Sequence, residues 1–434
     1  MSAATAPEQF WFDEFAARAR KLPGAGDSAL MEKREAAMAL FRRAGLPHRR
    51  IEAFKYTDLR ARLNERYDTD QAAAPAPQSA LPAWEANRFV IIDGILSDAR
   101  SDRPEGLEIA SLAKDSLPPW ALARLGAVNP QADHVMSALN LALMQDGVAI
   151  RVPRGFAALR PLHLQFLETG GEGAPAASHA RVLIVLEEGA SLTLTETHEA
   201  ATGRRTLASR VTELALERDA ALEHVRFTAA HARHDRISSL FAEIGAGAAY
   251  RLSQIQTGDG LERDDLFVRL EGMGAQFLLG ALRLLEGTAH ADLTTIIDHA
   301  GPGARADQRV KSVLAGKSCG IYQGKVIVRE GALGTDSHQL ARAVLLSGEA
   351  EAMTKPELEI FADDVKCGHG ATVGALDPDA LFYLRARGVP LNEANAMLLE
   401  AFLAEDLDGL SPEPIREVLR TATLKRLVAM EPAK

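Results

Sequence analysis

The chain has 434 residues, 49 Lys and Arg against 59 Asp and Glu, and a formal charge of −10, so it lacks the concentrated basic surface that phosphate backbones require; nucleic-acid binding is excluded, and His48-Arg49-Arg50 is too short to restore it. A hydrophobic share of 47% with 25% charged residues is that of an ordinary globular chain and excludes global disorder. Only two cysteines, Cys319 and Cys367, are present, which excludes a disulfide framework; the N-terminus MSAATAPEQFWFDEF lacks a signal-peptide pattern and no run approaches the ~18 apolar residues of a bilayer span, so the expectation is a cytoplasmic protein that does not enter a membrane.

Residues 7–44 predict two helices. The first shows Phe10, Phe12, Phe15 and Ala16 as its apolar face; the second is capped by Asp27 or Ser28, carries Leu30, Met31, Ala37, Met38 and Phe41, and ends at Gly45 and Pro47. PHRRIEAFKYTDLRARL follows, then QAAAPAPQSALPA at 71–83, a low-complexity stretch with the composition of a flexible connector. This closes an N-terminal helical region, 1–83. FVIIDGIL (89–96) predicts strand-turn-strand, DHVMSALNLALMQDG (133–147) a helix ended at Gly147, and GVAIRVPRG a return to strand.

From residue 181 four segments superimpose: RVLIVLEEGASLTLTET, RVTELALERDAALEHVRF, SSLFAEIGAGAAYRLSQI and DDLFVRLEGMGAQFLLGAL. Each gives a strand, a polar or Gly turn, a small residue and a second strand. Their turns start at Gly189, Asp219, Gly247 and Gly274, spaced 30, 28 and 27 residues apart. One such unit has too little bulk to bury its own apolar face, so stacking of successive units is predicted. The expected core, 84–376, is a β-solenoid with parallel stacking; an antiparallel sandwich is the alternative, because strand-turn-strand units also read as hairpins. The pattern continues less regularly through 290–299, 309–334 and 340–367. A C-terminal helical domain, 377–434, then begins at the cap Asp377-Pro378. Its first helix carries Leu381, Phe382 and Leu384 and stops at Gly388 and Pro390. The second starts near Asn392 with Ala394, Met397, Leu398, Ala401 and Phe402 on its apolar side, and the third runs from Ser411-Pro412 to about Met430.

Among motifs, AGKS at 315–318 lacks the additional Gly of a phosphate loop, since position 311 is Lys, and reads as a solenoid turn. HExxH, GxGxxG and CxxC patterns do not occur. The adjacent acids Asp264-Asp265 and Asp363-Asp364 would face opposite sides of a strand and read as solvated turns rather than an acid/base pair. His290 and His299, with Asp292 between them, read as surface or satisfied core residues, and Cys319 as a buried, inert thiol. Cys367 and His369 form the only Cys-x-His pair, in what reads as a Gly-flanked turn with Lys366 favouring a thiolate. They either ligate a thiophilic metal or form a tight turn with a buried Cys; two ligands do not close a site, since zinc takes three or four from protein.

DDVKCGHGATVGALDPDALFYLRARGV resembles the C-terminal motif of the SufB/SufD family of iron-sulfur cluster assembly proteins. LARAVLLSGEAEAMTKPELEIFADD and HADLTTIIDHAGPGARADQRVKSVL are similar to that family's core, and PHRRIEAFKYTDL is most like its SufD branch, with Phe54 where Trp is usual, Ala306 where Ser is common and Ala341 where Asn is common. The resemblance implies a right-handed parallel β-helix flanked by helical domains, paired with SufB through the β-helix ends and docked by the ABC-type ATPase SufC on the C-terminal helices. It further implies a non-catalytic scaffold that binds no nucleotide itself and holds a transient iron-sulfur cluster at the shared interface, with His369 as the matching residue, Cys367 beside it, and further ligands from SufB. Other expectations are a SufB-like or homodimeric iron-handling protein, and, from another class, a β-helix polysaccharide lyase or hydrolase built on convergent Asp and Arg/Lys.

Overall fold

The computed structural model describes residues 4–69, 79, 81–114, 116–128, 134–170, 172–201, 203–229, 233–258 and 260–430; apart from 79 and 81–83, the expected connector at 71–83 lies outside the described residues. The chain opens with α1 (Ala6–Arg18), α2 (Ser28–Ala44) and the single turn α3 (Leu59–Arg62). It continues through β1 (Asn87–Ile92), β2 (Ile95–Leu96), β3 (Glu108–Ser111), α4 (Pro119–Arg124), α5 (Val135–Leu143), β4 (Asp146–Val152) and β5 (Leu162–Glu168). The repeating part comprises β6 (Ala176–Leu186), β7 (Ser191–Ala200), β8 (Thr206–Leu216), β9 (Ala221–Ala229), β10 (His234–Ile244), β11 (Ala249–Gly258), β12 (Leu261–Leu270) and β13 (Gln276–Leu285). It runs on through β14 (His290–His299), β15 (Arg305–Leu314), β16 (Cys319–Val328), β17 (Asp336–Leu345), β18 (Glu351–Ile360) and β19 (Lys366–Gly374), and α6 (Pro378–Ala386), α7 (Leu391–Asp408) and α8 (Glu413–Ala429) close the chain.

Every strand from β6 to β19 pairs in parallel with the strand two before it, so even strands build one sheet and odd strands the other. This is a parallel β-solenoid of two strands per turn, and the sandwich alternative is ruled out because sequence neighbours such as β6 and β7 lie in different sheets. The four predicted turns fall where the chain crosses between sheets: Gly189, Asp219, Gly247 and Gly274 have φ of 67°, 55°, 68° and 68°. That left-handed conformation is open to Gly at no steric cost and to Asp at little, which is why turn residues mark the period.

Side chains alternate across each strand, and one set fills the space between the sheets. Val182, Leu214, Leu240, Leu266 and Leu293 from even strands meet Leu194, Leu222, Leu252 and Leu279 from odd ones, all buried. The outer face of the even sheet is covered by α1, α2 and α5, whose Phe15, Leu30, Phe41 and Leu139 join Leu183, Val211 and Phe241. α7 and α8 cover part of the odd sheet through Leu399, Leu403, Ile415 and Leu419 against Ile255 and Leu282.

Three local expectations are corrected. The buried face of α1 is Glu8, Trp11 and Phe15, with Ala16 exposed, because Trp11 stacks on Tyr67 at 5.6 Å. The helix predicted to end at Gly147 stops at Leu143; the Asp146 carboxylate instead accepts from Leu96 N and Ala113 N, and a Cβ at Gly147 would overlap the Arg181 backbone of the adjoining strand. On α7 the buried line is Ala394, Leu399, Leu403 and Leu407, while Met397 and Ala401 are exposed.

The PHRRIEAFKYTDL segment forms a strap over the even sheet. Thr57, fully buried, donates from Oγ1 to Asp292 (2.5 Å), and its Oγ1 lies 2.9 Å from His290 Nε2. The Arg263 guanidinium lies 3.9 Å from the Phe54 ring centroid and donates to Ala53 O at 2.9 Å, so the smaller ring at position 54 still meets a cation. Among the described residues no helix is long and apolar enough to cross a membrane.

Candidate functional site

The solenoid ends differ. Where it begins, the sheets finish in the short antiparallel strands β2 and β3. Where it stops, both sheets finish in full-length parallel strands, β18 and β19, each pairing on one side only. Such edges present rows of unpaired N–H and C=O groups, a template for another chain. The same end carries exposed apolar side chains: Ile360 (42%), Phe361 (61%) and Val373 (48%).

Cys367 and His369 lie here, in strand β19 rather than in a turn, which corrects the sequence reading; the flanking Gly368 and Gly370 are themselves strand residues. The strand is possible because β17 lies in register beside it, with Ser337 opposite Cys367 and Gln339 opposite His369. Residues two apart share a face. Cys367 packs against the solenoid interior, so both side chains belong to the interior row, and His369 is exposed because no further turn covers it. Ala306, Ser337 and Cys367 form one lateral row, which places the Ala306 departure two strands from the thiol with Ser337 between; Ala341 pairs with Ala371 one step beyond His369.

Burial raises the Cys367 pKa, Asp336 adds to this, and a hydrogen bond from the Ser337 backbone opposes it, so the thiol is held protonated despite Lys366 next to it. Ligation therefore requires loss of a proton that a bound cation would drive. Among the described residues no group of three or more His, Cys, Asp and Glu is arranged to hold a metal ion. The donor set at the open end, one thiol and one imidazole, fits a soft or borderline metal and is too small to close around it alone.

The other candidates fall elsewhere. His290 and Asp292 are tied up by Thr57 and Arg263, and His299 Nε2 lies 3.1 Å from Ser337 Oγ; burial lowers both histidine pKa values to about 4, so both are neutral core residues. Cys319 is half-buried at the start of β16, its thiol pushed up to about 11 by burial and by Glu351. Asp363-Asp364 is the solvated turn expected, but Asp264 and Asp265 are buried in β12, a correction that follows from arginines inside the protein. Asp264 faces the solenoid interior and accepts from Arg236; Asp265 faces outward and accepts from Arg263. AGKS is the β15–β16 turn, with Gly316 at φ 64°.

Two further features lie near the open end and the C-terminus. On the outer face of the β17–β19 pair, a cavity of about 520 Å³ opens beside Gly368, Gly370, His338 and Arg342, but two of its cations, Arg309 and Lys311, are already paired with Glu405 and Asp406 of α7. And α6, capped by Asp377, which accepts from Asp379 N at 2.9 Å, buries none of its residues. Phe382 is 73% and Tyr383 58% exposed. An apolar helix face left in water marks an interaction surface.

Comparison with known proteins bears on the family of the whole chain. The sequence matches the family model described as the SUF system FeS cluster assembly SufBD core domain over residues 166–402, and that of the SufBD protein N-terminal region over residues 6–164. It is 30% identical to an iron-sulfur cluster assembly SufBD family protein of Synechocystis over 425 residues, 93% of each chain. It is 28% identical to the iron-sulfur cluster assembly protein SufD of Escherichia coli, covering 89% of this chain and 90% of that one. With SufD of Bacillus subtilis the identity is 27%, over 66% of this chain and 65% of that one.

Proposed function

Because this chain belongs to the SufBD family of iron-sulfur cluster assembly proteins, we propose that it is a scaffold rather than a catalyst, and that it presents half of a cluster-building site at the open end of its solenoid for SufB to complete. The observation that carries this reading is the coincidence of Cys367 and His369 with the two unpaired edge strands and the exposed Ile360, Phe361 and Val373. Association there would cover the edges and the apolar residues, and would bring donors from a second subunit to the two this chain supplies.

In this reading the cluster is cargo. The His369 imidazole offers a nitrogen lone pair to iron, and Cys367 either joins as thiolate after losing its proton or supports the histidine. SufC docks on the C-terminal helices, through α6; its ATP-driven dimerisation shifts the end-to-end interface between states that differ in access to the site, to the extent that it binds those states differently. An isolated chain has the same open edges and would pair with a second copy. Polysaccharide cleavage is disfavoured because the Asp264 and Asp265 carboxylates are occupied by Arg236 and Arg263.

The test replaces His369 by Ala in the complex with SufB and SufC and reconstitutes it anaerobically with ferrous iron and sulfide. A large loss of cluster absorbance with the complex intact on size exclusion is expected. Unchanged cluster yield would overturn the role of His369, and failure of the three chains to co-elute would overturn the partnership.

A further inference from the structure

Gln339 stands opposite His369 in the β17–β19 register, on the same interior face. It is 3% exposed, yet neither its Nε2 nor its Oε1 has a hydrogen-bond partner among the described residues. A buried primary amide with both ends idle is uncommon, because burial strips its water without replacing it. Directly behind it lies a polar cluster inside the solenoid: Thr295 Oγ1 donates to Gln308 Oε1 at 2.7 Å and Tyr322 Oη donates to the same oxygen at 3.3 Å. Position 324 is glycine, and a Cβ there would collide with both the Tyr322 hydroxyl and the Gln339 amide. The missing side chain therefore lets these two groups approach each other.

The bonds have one consistent direction. With its only proton given to Gln308, the Tyr322 hydroxyl has a lone pair left; the Gln339 amide atom on that side is Oε1, and turning the amide over, which exchanges two atoms of nearly equal size, puts Nε2 there as the donor. Once Nε2 turns to Tyr322, the amide presents Oε1, an acceptor only, toward the neighbouring strand. The ring opposite is His369. A neutral imidazole facing a carbonyl oxygen places its single N–H on that side and leaves the other nitrogen with a free lone pair, the arrangement by which metal-ligating histidines are commonly fixed.

We propose that Gln339, anchored by Tyr322, is the positioning residue for His369: it selects one tautomer and turns the bare ring nitrogen toward the open end of the solenoid. This rests on the reading of His369 as a metal donor, but the tautomer itself is a property of this chain alone.

The experiment uses the full chain, ¹⁵N-labelled in its histidine rings, with long-range ¹H–¹⁵N correlation at pH 8 and His369 identified by its loss in H369A. The expected wild-type result is one tautomer, with widely separated ring-nitrogen shifts. Gln339→Leu should make the two shifts converge as both tautomers populate, Gln339→Glu, which keeps an acceptor oxygen, should restore the separation, and Tyr322→Phe should move it partway. Should Q339L fail to fold by circular dichroism, Y322F carries the test. Identical His369 shifts in wild type, Q339L and Y322F would overturn the proposal. In the complex with SufB and SufC, Q339L should weaken ferrous iron retention by roughly 10- to 100-fold. A Gln339-dependent tautomer combined with cluster yield indifferent to H369A would instead sink the scaffold reading and leave the positioning role standing.

Discussion

Arg236 and Asp264 meet inside the solenoid as a bidentate pair, Nη1 to Oδ1 and Nη2 to Oδ2 both at 3.0 Å, on adjacent strands β10 and β12 and with almost no exposure to water. Burial alone would raise the Asp264 pKa, but Arg236 and Arg226 outweigh it and hold the carboxyl below its usual value. Glu262, 2.6 Å from the same guanidinium, is less well compensated, and burial raises it to about 7.

Removing the arginine alone should therefore be costly. Arg236→Met leaves Glu262 buried without its paired cation and Asp264 with only Arg226, at 3.6 Å, and breaking such a buried pair typically costs about 3–5 kcal/mol. Urea denaturation should show that loss, and Arg236→Met with Glu262→Leu and Asp264→Leu should recover much of it, because the group that needed compensation is gone as well. A single variant within about 1 kcal/mol of wild type would mean that water reaches this cluster.

Stability should fall steeply on acidification. Burial holds His134, His198, His290 and His299 down at about 4, and His163 and His179 at about 3, against an ordinary 6.5. The unfolded chain takes up protons at these sites below pH 6.5 and the folded chain does not, so stability is full above that pH and is lost as pH falls toward 4. A shift of this size corresponds to about 3 kcal/mol for each histidine. Glu262 acts in the opposite sense: its folded pKa lies above the unfolded one, so its contribution is full below pH 4.5 and is lost as pH rises through about 7. With six histidines against it, the melting temperature measured from pH 7.5 to 5 should drop; a flat profile would contradict the burial of these rings.

How much was legible in the sequence follows from which residues obey local rules. Gly189, Gly247 and Gly274 announced the turns because a positive φ narrows the choice of residue, and Asp377-Pro378 announced α6 because capping is a local event. Asp264 was misread as solvated because its partner Arg236 is 28 residues away, and pairing across one solenoid turn is invisible until the register is known. The Cys-x-His pair was legible as chemistry but not as geometry: its glycines suggest a turn, and only the neighbouring β17 makes the segment a strand. Likewise the buried line of α7, Leu399 to Leu407, is chosen by contact with the odd sheet, which the helix alone does not encode.

The thiols give a third prediction. Cys319 is held up at about 11 by burial and by Glu351, and Cys367 is raised by burial and then Asp336. The thiolate is the reacting form, so Cys319 should label with iodoacetamide at pH 7 roughly 100-fold more slowly than a free cysteine. Its rate should climb about tenfold per pH unit toward that pKa. Cys367 should also label slowly and, if SufB pairs at the open end as proposed, become fully protected in its presence, while Cys319, on the outer face of the even sheet, should be unaffected. Equal labelling of Cys367 with and without SufB would place the partner elsewhere.

Helix α6 separates stability from association. None of its residues is buried; Arg387 stacks on the Tyr383 ring at 4.9 Å, and Phe382 lies beside it, 73% exposed. Side chains that contact so little of their own protein contribute little to its folding, so Phe382→Ala with Tyr383→Ala should leave the unfolding free energy within about 0.5 kcal/mol of wild type. If the exposed rings are instead the anchor for SufC, their truncation removes aromatic contact at the centre of an interface, where losses of about 2 kcal/mol or more are typical, roughly 30-fold in affinity. Surface plasmon resonance with immobilised chain and SufC in solution measures this directly. Undiminished SufC binding by a normally folded double variant would show that these rings do not anchor SufC, and the proposed end-to-end pairing at β18 and β19 would be untouched by that result.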